Sequence, residues 1–243
     1  MPPRPFQPLL DLISKPIRDS GRVNRDVLAS WMADTGGPLL ELGPGGAPML
    51  ARLPDVPNER KHVIEFAGAI EHSRSLGYQC TTQDIGKDAW DFDDDTFDLV
   101  VSNQVLEHIP RTDHVLRESF RVLKPGGRFL VSVPNPGALV YIGMLLMTFN
   151  PPMSMVSDEY YGLGNPLSRR RFQRSVEFGT EGHGHLRLFT IRGMQDLLRV
   201  HGFDVRRCHG GTWGVPLVGR LLAEVLPWYG LFTIVEAEKP RSA

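Results

Sequence analysis

Cysteine is scarce in this chain: 243 residues hold two, Cys80 and Cys208, with no C-x-x-C spacing. Two thiols can pair, but nothing in the pattern requires it, and a reducing compartment is the natural reading. An excess of either charge is also missing. Lys plus Arg number 27 against 28 for Asp plus Glu, so nothing advertises nucleic acid as a partner. Long apolar runs are absent too. The longest, ALVYIGMLLMTF from Ala138 to Phe149, falls well short of the ~20 residues that span a bilayer. The opening MPPRPFQPLL lacks the apolar core of a signal peptide. A soluble, cytoplasmic protein is therefore expected. There are no internal repeats and no composition break that marks a second domain, and 41% hydrophobic residues suit one globular unit.

What is present is a rhythm. NRDVLASWMAD (24–34) spaces Val27, Leu28 and Trp31 as one helix face, and Thr35-Gly36-Gly37 stops it. PLLELG, KHVIEF, YQCTTQDI, TFDLVVSNQ and RFLVSVPN read as five successive strands. TFDLVVSNQ has the continuous apolar centre of a strand covered on both faces. HVLRESFRVLKPGG (114–127) has helical spacing with a Pro-Gly-Gly stop. Five alternations of strand and helix predict an α/β fold: a doubly wound, mostly parallel sheet with helices on both faces. After Asn135 the rhythm breaks. Residues 137–185 read as an insertion over the strand ends, a lid. TIRGMQDLLRVHG then returns to a helix, and FDVRRCH and LFTIVEAEK supply two more strands around a short amphipathic helix.

Chemistry concentrates at strand ends. PLLELGPGGAP puts Glu41, Gly43, Gly45 and Gly46 where the first strand turns. Glycine permits the tight turn and lets a ligand approach bare backbone. Glu41, Glu65 and Asp84 fall at or just after three successive strand ends, which line the ligand crevice of an open parallel sheet. A carboxylate after the second strand can grip two ribose hydroxyls, since each oxygen accepts a hydrogen bond. A dinucleotide fits less well. The third glycine of its fingerprint is replaced, Pro48 removes an N–H, and Glu41 would repel a pyrophosphate. A Tyr-x-x-x-Lys pair is also lacking.

In this combination the chain resembles the Rossmann-like, class I S-adenosylmethionine-dependent methyltransferases. ELGPGGA is similar to their E/D-x-G-x-G-x-G turn, with Ala47 at the last position. VIEF resembles the segment whose acid, here Glu65 with Phe66 beside it, holds the ribose. QDI resembles the segment where Asp84, with Ile85, meets the adenine amino group. FDLVVSNQVLEHI and RESFRVLKPGGRFLVSVPN resemble the fourth and fifth motifs. The likeness runs in order from Leu39 to Asn135. It implies a seven-stranded sheet whose last strand, 231–238, is antiparallel, and S-adenosyl-L-methionine as cofactor. It also implies that Glu41, Gly43 and Gly45 face the methionine moiety, with Ser102 and Asn103 completing its amine and carboxylate contacts. The expected organisation is one domain: a helical cap at 1–37, a cofactor-binding core at 38–136, a lid at 137–185 and a completing segment at 186–243.

The acceptor side is thinner. GTEGHGHLRLFT (179–190) holds His183 and His185 around a glycine, and imidazole suits base work near neutral pH. His185 is the first candidate for general base, followed by His183 and by His108 beside Glu107. One H-x-H with Glu181 nearby does not make a recognisable metal site, so no metal is expected. SRRRFQR groups Arg169, Arg170, Arg171 and Arg174, a set able to hold phosphate or carboxylate or simply to be solvated. The apolar run at 138–149 lines an acceptor pocket, packs in the core or touches a membrane surface. The expected acceptor is an oxygen of a small molecule, sugar or lipid-linked glycan. Carbon or nitrogen transfer, or a module that kept the fold and lost the chemistry, is the alternative.

Overall fold

The computed structural model describes residues 7–154, 156–157, 159–160, 162–165, 184–213 and 218–241. Seven strands form one sheet: β1 (Leu39–Leu42), β2 (Lys61–Glu65), β3 (Gln79–Thr82), β4 (Phe97–Asn103), β5 (Leu123–Pro134), β6 (Asp204–His209) and β7 (Phe232–Glu238). Their order is β3-β2-β1-β4-β5-β7-β6. The first five run parallel, and β7 runs antiparallel to both β5 and β6. The expected sheet, with its antiparallel last strand, is what forms.

Strand alternation divides the core in two. Leu40, Leu42, Val100, Phe129 and Val131 face α3 (Thr112–Val122) and α5 (Ile191–Val200) through Val115, Leu116, Met194 and Leu198. Leu39, Leu99, Val101 and Leu130 face the other way, onto Leu28 and Met32 of α1 (Gln7–Met32). That two-sided burial explains why β4 reads as an unbroken apolar run. α5 starts where the sequence places it: the Thr190 hydroxyl accepts the Gly193 amide as an N-cap.

Several expectations need correction. The N-terminal helix begins at Gln7 rather than near Asn24. The strand–helix alternation is incomplete. β1 and β2 are joined by two 3-10 turns, Met49–Arg52 and Asn58–Arg60, and α2 (Glu71–Ser75) is barely one turn. No helix separates β3 from β4. There the chain is instead tied down by Trp90, whose amide donates to Glu118 and whose indole donates to the Ile85 carbonyl. The helix at 114–127 ends at Val122, and Pro-Gly-Gly lies within β5, where Gly126 donates to Lys239 and the register with β4 shifts. The run at 138–149 becomes α4 (Leu139–Leu146) with a split face. Tyr141 and Met144 are buried with Ala138, Met153 and Leu231, while Leu139, Leu145, Leu146 and Met147 are exposed. Arg169, Arg170, Arg171, Arg174 and His183, with the rest of the expected lid between 166 and 183, lie outside the described residues. No helix among the described residues is long and apolar enough to cross a membrane.

Candidate active site

The strand order reverses between β1 and β4, so the crevice at their carboxyl ends is the natural ligand position in such a sheet. The glycine turn sits there. Gly43 (φ 57°) donates to the Ile64 carbonyl at 2.9 Å, and Gly45 (φ 56°) follows it. A Cβ on Gly43 would come within 3.1 Å of both γ-methyls of Val105, whereas one on Gly45 or Gly46 would meet nothing within 4 Å. The first glycine is thus needed by the fold, and the next two present bare backbone to open space.

Two carboxylates hold this turn. Glu41 is buried, and its oxygens accept the Met49 and Leu50 amides at 2.7 and 3.0 Å. Burial pushes its pKa up to about 7, although those amides pull it down. The carboxylate expected to face the methionine moiety is therefore also the anchor of the following 3-10 turn. Glu65 ends β2 and accepts from the Gly45 amide at 2.8 Å and from its own neighbour, Phe66, at 2.9 Å. Phe66 itself is exposed, beside that carboxylate. Asp84 accepts from the Gly86 amide and pairs with Lys87 at 3.0 Å. Burial raises its pKa, but these partners more than offset that and hold it below the ordinary value. Ile85 is buried in the core, so its side chain supports the loop from beneath.

At the end of β4, Ser102 is fully buried and its hydroxyl has no hydrogen-bond partner among the described residues. Asn103 accepts from Asn24 of α1 at 2.8 Å, Asn24 accepts from Ser132 at 2.5 Å, and Gln104 (φ 59°) donates to Ser132 at 3.1 Å. This network locks α1 to the sheet. It borders a cavity of about 380 Å³ that Asn24, Arg25, Asn103 and Gln104 help to line. The Arg25 Nε is buried without a hydrogen-bond partner among the described residues. Neither Asn24 nor Arg25 stands out in the sequence, because both lie on a helix far from every strand end.

A second group lies just beyond. Glu107 and His108 follow β4 on a 3-10 turn, Leu106–His108. His185, 78 residues beyond Glu107 by numbering, reaches them because the Glu107 carbonyl accepts the Leu186 amide at 2.7 Å and the Arg187 amide at 3.1 Å. The His108 and His185 ring centres are 5.0 Å apart, and His108 Nε2 lies 3.9 Å from Glu107 Oε1. The Glu107 carboxyl is almost completely buried, and neither oxygen meets a hydrogen-bond donor among the described residues. Burial drives its pKa up to about 8. Burial, with the neighbouring His108, drives His185 down to about 4, while a bond to the Met153 backbone pulls the other way. His185 is therefore not the imidazole of ordinary basicity that its residue type suggests. Glu107, passed over in the sequence as a neighbour of His108, is the group whose proton affinity falls near neutrality.

The chain matches the model of a methyltransferase domain family over residues 18–207. It is 28% identical over 132 residues to a ubiquinone/menaquinone biosynthesis C-methyltransferase of Dinoroseobacter shibae, covering 51% of this chain and 46% of that one. It is 27% identical over 134 residues to a ubiquinone biosynthesis O-methyltransferase of Pseudomonas fluorescens, covering 55% and 50%. It is 52% identical over 136 residues to a probable S-adenosylmethionine-dependent methyltransferase of Mycolicibacterium smegmatis, covering 56% and 45%. The chain thus spans about half the length of these curated relatives. Among solved structures, a putative methyltransferase of Haloferax volcanii, in complex with the Trm112 activator, shares the fold with a TM-score of 0.60 at 15% identity. That match covers 98% of this chain and 97% of the other.

Proposed function

We propose that this chain, which belongs to the methyltransferase domain family and uses S-adenosylmethionine, methylates an oxygen of a small, ring-bearing acceptor. When bound, the cofactor supplies an electrophilic methyl group on a sulfonium. The residues present fit it. Gly45 and Gly46 offer bare backbone, the buried Ser102 hydroxyl lacks a hydrogen-bond partner among the described residues, and carboxylates sit at the ends of three successive strand segments. In this reading Glu65 exchanges its bond to the Gly45 amide for the ribose hydroxyls, and Asp84 takes the adenine edge with Ile85 behind it. Ser102 and Asn103 take the methionine end, near Glu41.

One observation carries the choice of oxygen. Glu107 is buried without hydrogen-bond donors among the described residues, beside His108 and His185, at the same sheet end as the cofactor crevice. A hydroxyl must shed a proton to become a good nucleophile, whereas a carbanion or a neutral amine needs less help. The Glu107–His108–His185 group gives that proton somewhere to go, and the remaining task is alignment and exclusion of water. The relatives named for ubiquinone biosynthesis include both O- and C-methyltransferases, so quinone-related acceptors are the class to try first. The exposed apolar residues of α4 would suit an acceptor with an apolar tail, or the edge of a membrane that carries one.

The test is transfer of labelled methyl from S-adenosylmethionine to matched phenols, anilines and ring carbons. Label on the phenol oxygen, reduced about 10²–10⁴-fold in His185→Ala while cofactor affinity holds, is the expected result. Label confined to carbon or nitrogen overturns the oxygen assignment.

A further inference from the structure

We propose that Glu107, His108 and His185 form a divalent-cation site that takes the acceptor oxygen as a further ligand. The placement of the acceptor rests on the methyltransferase reading above; the metal site does not.

The three side chains offer one ligand atom each, all within 4.8 Å of one another. A tetrahedral first-row site with bonds near 2.0–2.1 Å holds its ligands about 3.3 Å apart, so loading requires the side chains to draw in by about 1.5 Å. One pair is already closer, at 3.9 Å. Two features mark a prepared site rather than a chance grouping. Both Glu107 oxygens and the His185 Nδ1 are buried without hydrogen-bond partners among the described residues, a costly state unless a ligand repays it. The backbone also fixes the geometry. The doubly accepting Glu107 carbonyl clamps the two residues after His185, and Phe189 is buried in the core just beyond. The sequence expectation of no metal came from the His183–His185 spacing. The fold instead pairs His185 with a histidine and a glutamate from another motif.

Two imidazoles and one carboxylate favour zinc-like first-row cations over magnesium or calcium, which prefer all-oxygen shells. Three protein ligands leave a position open, as catalytic sites do. A hydroxyl bound there loses its proton to water more readily and presents its oxygen lone pair toward the crevice. This is a different arrangement from simple base catalysis, and it assigns Glu107 a role that explains its missing donors.

The experiment uses the full chain, stripped with chelator and titrated by calorimetry with Zn²⁺ alone, and separately with Co²⁺ as a visible probe. One Zn²⁺ per chain is expected, weakened at least tenfold in both Glu107→Gln and His185→Ala, with S-adenosylmethionine binding retained as evidence of folding. Co²⁺ should give visible absorption bands that shift when catechol is added. No one-to-one Zn²⁺ uptake by the wild type, or uptake unchanged in either variant, overturns the site. If the variants do not fold, the wild-type Co²⁺ bands decide, and their absence is fatal. Bands that ignore catechol overturn the acceptor contact alone. Failure of the wild type to bind S-adenosylmethionine would sink the methyltransferase placement and leave the cation result standing.

Discussion

Glu41 offers a sharp test of the turn's physics. Its carboxyl is buried, with a pKa pushed from 4.5 to about 7, even though two backbone amides donate to it. A folded pKa above the unfolded one means that folding takes up a proton. The contribution from this group is fully present below about pH 4.5 and is lost as pH rises through about 7. The rise corresponds to ~3 kcal/mol between the two limits, at 1.36 kcal/mol per pH unit. Glu41→Gln removes the titration and keeps the shape. Its carbonyl still accepts one amide, and its NH₂ meets the other, a defect that does not change with pH. The quantity to follow is the stability of the variant minus that of the wild type, from urea unfolding at pH 5 to 8. It should move in the variant's favour by about 2–3 kcal/mol across that range and level off above pH 8. Parallel curves would refute the argument. They would mean that the amide bonds hold the carboxylate ionised as firmly as water does. The same residue reports on the cofactor. An ammonium placed near Glu41 lowers its pKa, so S-adenosylmethionine binding near pH 7 should release protons, read as a dependence of binding heat on buffer ionisation heat.

Two further changes separate binding from folding. Glu65→Ala should weaken S-adenosylmethionine by roughly 1.5–3 kcal/mol in calorimetry, as when bonds to a charged group are lost, and unchanged affinity would remove Glu65 from the ribose site. Gly43→Ala should lower stability by about 1–2 kcal/mol, because its positive φ costs any residue with a Cβ; a melting temperature equal to wild type would show that the turn relaxes around Val105.

The parts of this fold that the sequence displays are those governed by local chemistry. β4 announces itself because burial on both faces demands a continuous apolar centre. Thr190 marks the start of α5 because a hydroxyl at that position satisfies an orphan amide. The glycine turn and its carboxylates are readable for the same reason: positive φ and strand-end charge are properties of a few adjacent residues. The parts that stay hidden depend on distant partners. Nothing in the aspartate-rich stretch before β4 says that Trp90 replaces a helix, since its anchors are Glu118 and Ile85. Asn24 looks like an ordinary helix polar group until Ser132 and Asn103 are brought to it. Glu107 is the clearest case. Beside His108 it carries no mark of its own in the sequence, and residues 186 and 187 close over its carbonyl from far along the chain. Burial there, with His108 beside it, lowers the basicity of His185, so the histidine that residue type nominates as a base is changed by its place in the site. Residue type therefore finds the cofactor end of the crevice, where the chemistry is local. The acceptor end is set by a long-range clamp, and there the useful question is what the buried Glu107 carboxyl, which lacks a hydrogen-bond donor among the described residues, is placed to bind.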